Sequence, residues 1–302
     1  MNDPADRTFV FSTVGELRQR LRALRVRGLS VGAVPTMGAL HAGHLSLIEA
    51  ARKVTDEVVV TIFVNPTQFG PDEDLEKYPR NLAADVQLAA SAGASCVFAP
   101  SVSEMYPPDE RTRVSVARLS EGLCGAARPE HFQGVATIVA KLFNVVGEAT
   151  YFFGRKDYQQ LRVVEKLATD LLFPARIVGC PIVREEDGLA LSSRNRYLNQ
   201  QQRAAATAVP RGLKKAWSAY RSGLRKRDEL VGIFERELQA SGLQAQYAEI
   251  RSAQDLTLRP AHLDDKQGAS LLAVAAFVGS TRLIDNVVLG ASGMDSFMEQ
   301  TA

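Results

Sequence analysis

The stretch Val31-Gly32-Ala33-Val34-Pro35-Thr36-Met37-Gly38-Ala39-Leu40-His41-Ala42-Gly43-His44-Leu45 decides how this chain folds. Val31 to Val34 is an apolar run of strand length, and from Leu45 to Val54 apolar residues recur at helical spacing, with a glycine-bearing turn between them. Working outward, Val58 to Val64 is a second strand rich in β-branched residues, Leu82 to Ala92 a helix and Cys96 to Ala99 a third strand. Strand, helix, strand in that order implies parallel pairing through right-handed crossovers. A doubly wound α/β sheet is the economical solution. Upstream, Phe9 to Phe11 reads as a short strand and the next residues as a helix: Thr13 and Glu16 have capping-box spacing, and Leu17, Leu21 and Leu24 form a stripe.

The pattern continues with a helix over His131 to Val146, a strand at Thr150 to Phe153, a helix from Asp157 to Leu172 with Asp157 as its N-cap, and a strand at Ala175 to Val178. Past Pro181 the character changes. Polar and basic helices run to about residue 241, and strands at Gln246 to Ile250, Leu271 to Phe277 and Arg282 to Val288 follow. The expected division is an α/β domain over 1–180 and a smaller α+β domain over 181–302.

Composition bounds the function. Over 302 residues, 36 Lys plus Arg nearly cancel 34 Asp plus Glu, a net charge of +2 that argues against a basic nucleic-acid surface. The segment Arg211 to Arg227 is accordingly read as a solvated cationic helix face. Hydrophobic residues make up 46% of the chain, enough for a sizeable core. Cys96, Cys124 and Cys180 are too widely spaced for a zinc pair or a disulfide framework, as expected of a reducing cytosol. The start, with Asp3 and Asp6, lacks the apolar run of a signal peptide, and Val58 to Val64 and Leu271 to Val278 fall short of the roughly 20 residues that span a bilayer. A soluble cytoplasmic protein with no membrane or nucleic-acid partner is expected.

Of the 4 histidines, His41 and His44 flank Gly43 at the strand-to-helix turn, where an α/β sheet presents peptide N–H groups and a positive helix end to phosphate. The turn is neither G-x-G-x-x-G nor a P-loop, and no third ligand accompanies the histidines to make a zinc site. Gly154-Arg155-Lys156-Asp157-Tyr158-Gln159-Gln160 repeats the arrangement, with a lysine beside a second helix start. Asp187-Gly188-Leu189-Ala190-Leu191-Ser192-Ser193-Arg194-Asn195-Arg196 adds two hydroxyls and a guanidinium for a pyrophosphate leaving group. Phe63-Val64-Asn65-Pro66-Thr67-Gln68-Phe69-Gly70 ends the second strand with neutral amides that suit a small polyol or carboxylate. The loop from Gly70 to Asn81, with four carboxylates, reads equally as a closing lid and as a plain surface loop.

With PTMGALHAGH, FVNPTQF, RPEHFQGV, GRKDYQQ and LSSRNRYL in this order, the chain resembles the pantoate:β-alanine ligase (pantothenate synthetase) family, of the nucleotidyltransferase superfamily with a His-x-Gly-His signature. The resemblance runs through to Gly279-Ser280-Thr281-Arg282-Leu283-Ile284-Asp285-Asn286. It implies a Rossmann-like ATP- and pantoate-binding domain over 1–180, a C-terminal lid domain over 181–302, a homodimer, and condensation of D-pantoate with β-alanine through a pantoyl adenylate, releasing AMP and pyrophosphate. By resemblance the ATP contacts are Met37, Gly38, Ala39, Leu40, His41, Ala42, Gly43, His44, Gly154, Arg155, Lys156, Asp157, Val183, Leu191, Ser192, Ser193 and Arg194. Among these, His44, His41, Lys156, Ser192 and Arg194 form the catalytic set. Gln68, Gln160 and Asn65 match pantoate ligands, with Gln68 also near β-alanine. Mg²⁺ is expected on the phosphates of ATP, with no protein metal cage. Arg155 stands where the family usually has Glu, and Leu191 where Met is common. Another His-x-Gly-His nucleotidyltransferase acting on a different small acceptor is the alternative.

Overall fold

The computed structural model describes residues 8–71 and 73–290; Asp3 and Asp6, and Asp72 of the 70–81 loop, lie outside the described residues. In chain order the elements are β1 (Phe9–Phe11), α1 (Val14–Val26), β2 (Val31–Thr36), α2 (Ala42–Arg52), β3 (Glu57–Ile62), α3 (Leu82–Ser91), β4 (Cys96–Phe98), α4 (Val102–Met105), α5 (Cys124–Ala127), α6 (His131–Val146), β5 (Ala149–Gly154), α7 (Tyr158–Asp170), β6 (Ala175–Cys180), α8 (Gln200–Ala206), α9 (Ala208–Arg221), α10 (Arg227–Ala240), β7 (Ala245–Ser252), β8 (Ser270–Val278) and β9 (Thr281–Leu289). They pack as two units. One holds the residues up to Ser120 with Arg128–Arg155 and Val163–Cys180, and the other holds Glu121–Ala127, Lys156–Arg162 and the residues from Pro181 onward.

The first unit is built on a six-stranded sheet in the order β1-β4-β3-β2-β5-β6, every pairing parallel. The inner strands β2, β3 and β4 read as near-continuous apolar runs because both of their faces are covered, whereas the edge strand β1 is largely exposed. Val34, Val58, Val60 and Val97 pack with Leu47, Ile48 and Ala51 of α2 and Ala89 of α3 in one core cluster. Helix α6 is buried nearly all round, from Phe132 to Val146, so it reads as core rather than as an amphipathic surface helix. Thr13 caps α1 through the expected reciprocal box with Glu16, and Leu17, Leu21 and Leu24 are its buried stripe.

Several boundaries differ from the sequence expectation by a residue or more, two of them for identifiable local reasons. Helix α2 begins at Ala42, because His41 serves as its N-cap. Ahead of α7 the chain makes a 3-10 turn over Arg155–Asp157, so helical geometry starts before the residue expected to cap it. The second unit carries an antiparallel sheet, β7-β8-β9, against α9 and α10, with Leu213, Leu230, Phe234 and Leu238 meeting Leu272, Val274 and Leu283 in its core. The cations of the basic segment are engaged at its surface: Arg211 and Lys215 on Glu237, and Arg225 on Asp265. The three cysteines are buried. Among the described residues, no helix is long and apolar enough to cross a membrane.

Candidate active site

The turn after β2 is held from beneath by one carboxylate. Asp85 of α3, 4% exposed, accepts the N–H of Ala39 at 2.9 Å and of Leu40 at 2.8 Å. Those bonds hold Ala39 at φ +51°, a left-handed conformation that costs a residue with a Cβ. Beside it Gly38 has φ +79°, and a Cβ there would stand 2.9 Å from Asp85 Oδ2. Gly38 donates its own N–H to Thr36 Oγ1 at 3.1 Å. A recess of about 170 Å³ lies beside this turn, lined by Met37, Gly38, Ile62, Val64, Asn81 and Asp85 among others.

The two imidazoles come together, with ring centroids 4.1 Å apart and planes inclined by 36°. His41 Nδ1 accepts the N–H of Gly43 at 3.2 Å, which assigns the ring proton to Nε2 and makes that nitrogen a donor. The His44 N–H turns back to the His41 carbonyl at 2.7 Å. The N–H groups of Gly38, Ala39, Leu40, Gly43 and His44 are all engaged in fixing the turn. What the turn presents in their place is imidazole chemistry on a rigid base.

In the same unit, Pro66–Gln68 forms a 3-10 turn capped by Asn65. Asn65 is 1% exposed. Its Oδ1 accepts from Thr67 N, Thr67 Oγ1 and Tyr106 Oη, and its Nδ2 donates to the Gly134 carbonyl at 3.2 Å and to Gln68 Oε1 at 3.0 Å. Gln68 Nε2 rests on the sulfur of Met37 at 2.8 Å, a weak acceptor that a substrate oxygen readily replaces. The Gln68 carbonyl takes hydrogen bonds from Arg128 at 3.1 Å and from the His131 ring at 2.9 Å. Arg128 also clasps the carboxylate of Glu73 in the 70–81 loop. Helix α6 approaches this turn so closely that a Cβ on Gly134 would lie 2.2 Å from the Thr67 carbonyl oxygen.

Gly154 closes β5 and Arg155 opens the 3-10 turn that follows it. In the second unit, Lys156 reaches to 3.8 Å of the Asp157 carboxylate, and its carbonyl accepts from Asn286 Nδ2 at 3.0 Å. The neighbouring glutamines divide their work. Gln159 is buried and fastened to Cys124 N–H at 3.0 Å and the Gly122 carbonyl at 2.8 Å, whereas Gln160 is partly exposed. Val183 and Leu191 face each other across a short hairpin, joined by a 3.0 Å bond from Leu191 N to Val183 O. Ser192 caps the 3-10 turn Ser193–Tyr197, its Oγ accepting the Arg194 N–H at 3.3 Å. Glu185 braces the segment through Asn195 at 2.7 Å and Arg203 at 2.9 Å. Beneath the hairpin, Arg184 and Asp285 form a bidentate ion pair at 2.7 and 3.0 Å, with side chains 2% and 1% exposed.

Sequence reasoning missed Asp85, Tyr106, Arg128, Gly134, Arg184 and Asp285 as supports of these turns. For Asp85 a signal exists: it shares the buried face of α3 with Ala89, where an acid is out of place unless it is bonded. Asp285 likewise lies in phase with the inward residues Leu283 and Val287 of β9.

A parallel α/β sheet with His-x-Gly-His at the turn between β2 and α2, followed in sequence by an antiparallel α+β unit, has the build of the nucleotidyltransferase type that the sequence resembles. Within that class the chain belongs to the pantoate-beta-alanine ligase family, whose model matches residues 9–288. It is 52% identical to a pantothenate synthetase of Pseudomonas fluorescens over 92% of this chain and 96% of that protein. It is 50% identical to the pantothenate synthetase of Moorella thermoacetica over 93% and 98%. The crystal structure of pantothenate synthetase from Thermus thermophilus matches with a TM-score of 0.86 at 44% identity, covering 93% of this chain and 99% of that one. The pantoate-beta-alanine ligase of Francisella tularensis, solved with beta-gamma ATP and beta-alanine, matches with a TM-score of 0.78 at 31% identity over 96% and 100%.

Proposed function

We propose that this chain condenses D-pantoate with β-alanine in two steps that consume ATP. In the first, a pantoate carboxylate oxygen attacks the α-phosphorus and pyrophosphate leaves, giving pantoyl adenylate. In the second, the β-alanine amine attacks the acyl carbon, the C–O bond to AMP breaks, and the amine proton is lost to solvent. The adjacent pair His41–His44 at the start of α2 carries the reading, because it sets ring N–H donors on a turn that its own hydrogen bonds make rigid. Such donors stabilise charge as it develops on the transferring phosphoryl group, which is where the rate of this chemistry is gained.

Lys156, Ser192 and Arg194 are the proposed partners of the β- and γ-phosphates, with Met37, Gly38, Ala39, Leu40, Ala42 and Gly43 around the two histidines and Gly154, Arg155, Asp157, Val183, Leu191 and Ser193 completing the proposed nucleotide contacts. Gln68 and Gln160 are the proposed pantoate ligands, and Gln68 also serves β-alanine. Mg²⁺ is proposed to arrive on the phosphates, where it neutralises their charge; the half-exposed carboxylate of Asp157 beside Lys156 is a hard oxygen donor that fits it. A cytoplasmic homodimer is the proposed working form.

The test is to supply ATP, pantoate and β-alanine to the purified chain and to quantify products. AMP and pyrophosphate in equal amounts, with ¹⁸O passing from labelled pantoate carboxylate to AMP, support the adenylate route. Turnover with a phosphorylated acceptor and none with pantoate would establish the other nucleotidyltransferase reading instead.

A further inference from the structure

We propose that Tyr106 is a positioning residue for the acyl substrate: its hydroxyl fixes Asn65, and Asn65 sets which end of the Gln68 carboxamide meets the ligand. This rests on the assignment of Gln68 to pantoate. Tyr106 lies at the C-terminal end of α4, and its hydroxyl donates to Asn65 Oδ1 at 2.8 Å. The same oxygen accepts from Thr67 Oγ1 at 2.9 Å and from the Thr67 N–H at 3.3 Å, and the two hydroxyls stand 3.2 Å apart. The phenol makes the shortest of the three bonds and closes a ring of donors around one oxygen.

A peptide N–H on one side and the Gly134 carbonyl on the other leave only one orientation for the Asn65 amide, since an N–H cannot accept and a carbonyl cannot donate. Both Nδ2 protons are then committed, one to Gly134 O and one to Gln68 Oε1. Gln68 must therefore turn its oxygen toward Asn65 and its Nε2 toward Met37 and the ligand. At Gln68 the ligand then meets a donor, which favours a carboxylate or hydroxyl oxygen at that point and disfavours a ligand N–H. The phenol is itself pinned: Lys141 of α6 lies 4.4 Å from its ring centroid and pairs with Glu110 at 2.9 Å, while the Phe63 ring stands 6.0 Å away.

Steady-state kinetics of the full chain carrying Tyr106→Phe, Gln68→Ala and both together tests the chain of contacts. Tyr106→Phe is expected to raise the pantoate KM about three- to tenfold, the scale of one net hydrogen bond, and to leave the ATP KM unchanged. In the Gln68→Ala background the same substitution is expected to change nothing further, since its route to the substrate has gone. Thr67→Val, which removes the neighbouring hydroxyl, should give the same split on a smaller scale. An unmoved pantoate KM, a parallel rise in the ATP KM, or a Tyr106→Phe effect that persists in full without Gln68 overturns the role of Tyr106. A Gln68→Ala enzyme with a normal pantoate KM overturns the assignment of Gln68 itself, and the inference with it.

Discussion

Asp85 Oδ2 accepts the backbone N–H of Ala39 at 2.9 Å across 46 positions of sequence, and its other oxygen takes the next N–H along. The carboxylate thereby replaces, inside the protein, the phosphate that such N–H groups commonly bind, and the turn is preformed before any nucleotide arrives. Asp85→Ala leaves two N–H groups without their acceptor and relaxes the left-handed Ala39. The expected cost is about 2 to 3 kcal/mol, seen as a drop of several degrees in the thermal midpoint. The ATP KM should rise with it, because His41 and His44 are carried by the same turn. A variant that melts and binds ATP like the wild type would show that the turn holds its shape without the acid.

Most elements of both units, though not the short helices α4 and α5, were legible in the sequence because a local period announces them, and the turns that carry His41 and Lys156 follow the ends of β2 and β5, where α/β sheets place ligands. The fixings between those turns were not legible. Asp85 to Ala39, Tyr106 to Asn65, Gly134 against Thr67 and Arg184 to Asp285 are pairings between distant segments, and no period encodes a partner 41 to 101 positions away. Asn65 illustrates the difference. As a polar residue at a strand end it reads as a ligand, but the tertiary structure buries it and uses every polar atom of its amide to hold neighbours. Its effect on pantoate is therefore proposed to pass through Gln68.

His44→Ala is expected to lower the rate of pyrophosphate release by about a hundredfold or more, the scale of one oriented transition-state donor, with little change in the ATP KM. Single-turnover measurement of pyrophosphate with pantoate and no β-alanine isolates the step. His41→Ala should do additional damage that His44→Ala does not. It removes the acceptor for the Gly43 N–H and so loosens the first turn of α2, lowering the thermal midpoint as well.

Glu73 ties the 70–81 loop to Arg128, and its titration gives that tie a pH range. Partial burial opposes ionisation of the carboxyl, but the hydrogen bonds and charge of Arg128 outweigh it and hold the pKa below the ordinary glutamate value. A depressed folded-state pKa means stability that is fully present above the unfolded pKa and is lost as pH falls through the folded one. The difference in thermal midpoint between wild type and Glu73→Gln should accordingly be constant above about pH 5 and shrink toward zero below about pH 4. A difference that persisted undiminished in acid would place its origin outside this ion pair.

The buried pair Arg184–Asp285 should be the most sensitive polar feature of the second unit. Arg184 also donates to the Gly188 carbonyl at 3.0 Å, and Asp285 also accepts the N–H of Asn286 at 2.8 Å, so the pair joins the Val183–Leu191 hairpin to β9. Asp285→Ala leaves a guanidinium in the interior without its counter-ion, which costs about 3 to 5 kcal/mol. The consequence reaches further, because Asn286 holds the Lys156 carbonyl and moves when its neighbour loses its anchor. A fall in thermal midpoint of about 10 °C is expected together with a raised ATP KM. The double variant Arg184→Met/Asp285→Leu removes both charges, so much of the lost stability should return, since burying two apolar groups avoids the desolvation that one unpaired charge incurs. The ATP KM should remain raised in that double variant if the pair serves to place the hairpin and Asn286. Recovery of stability and nucleotide affinity together would reduce its role to packing.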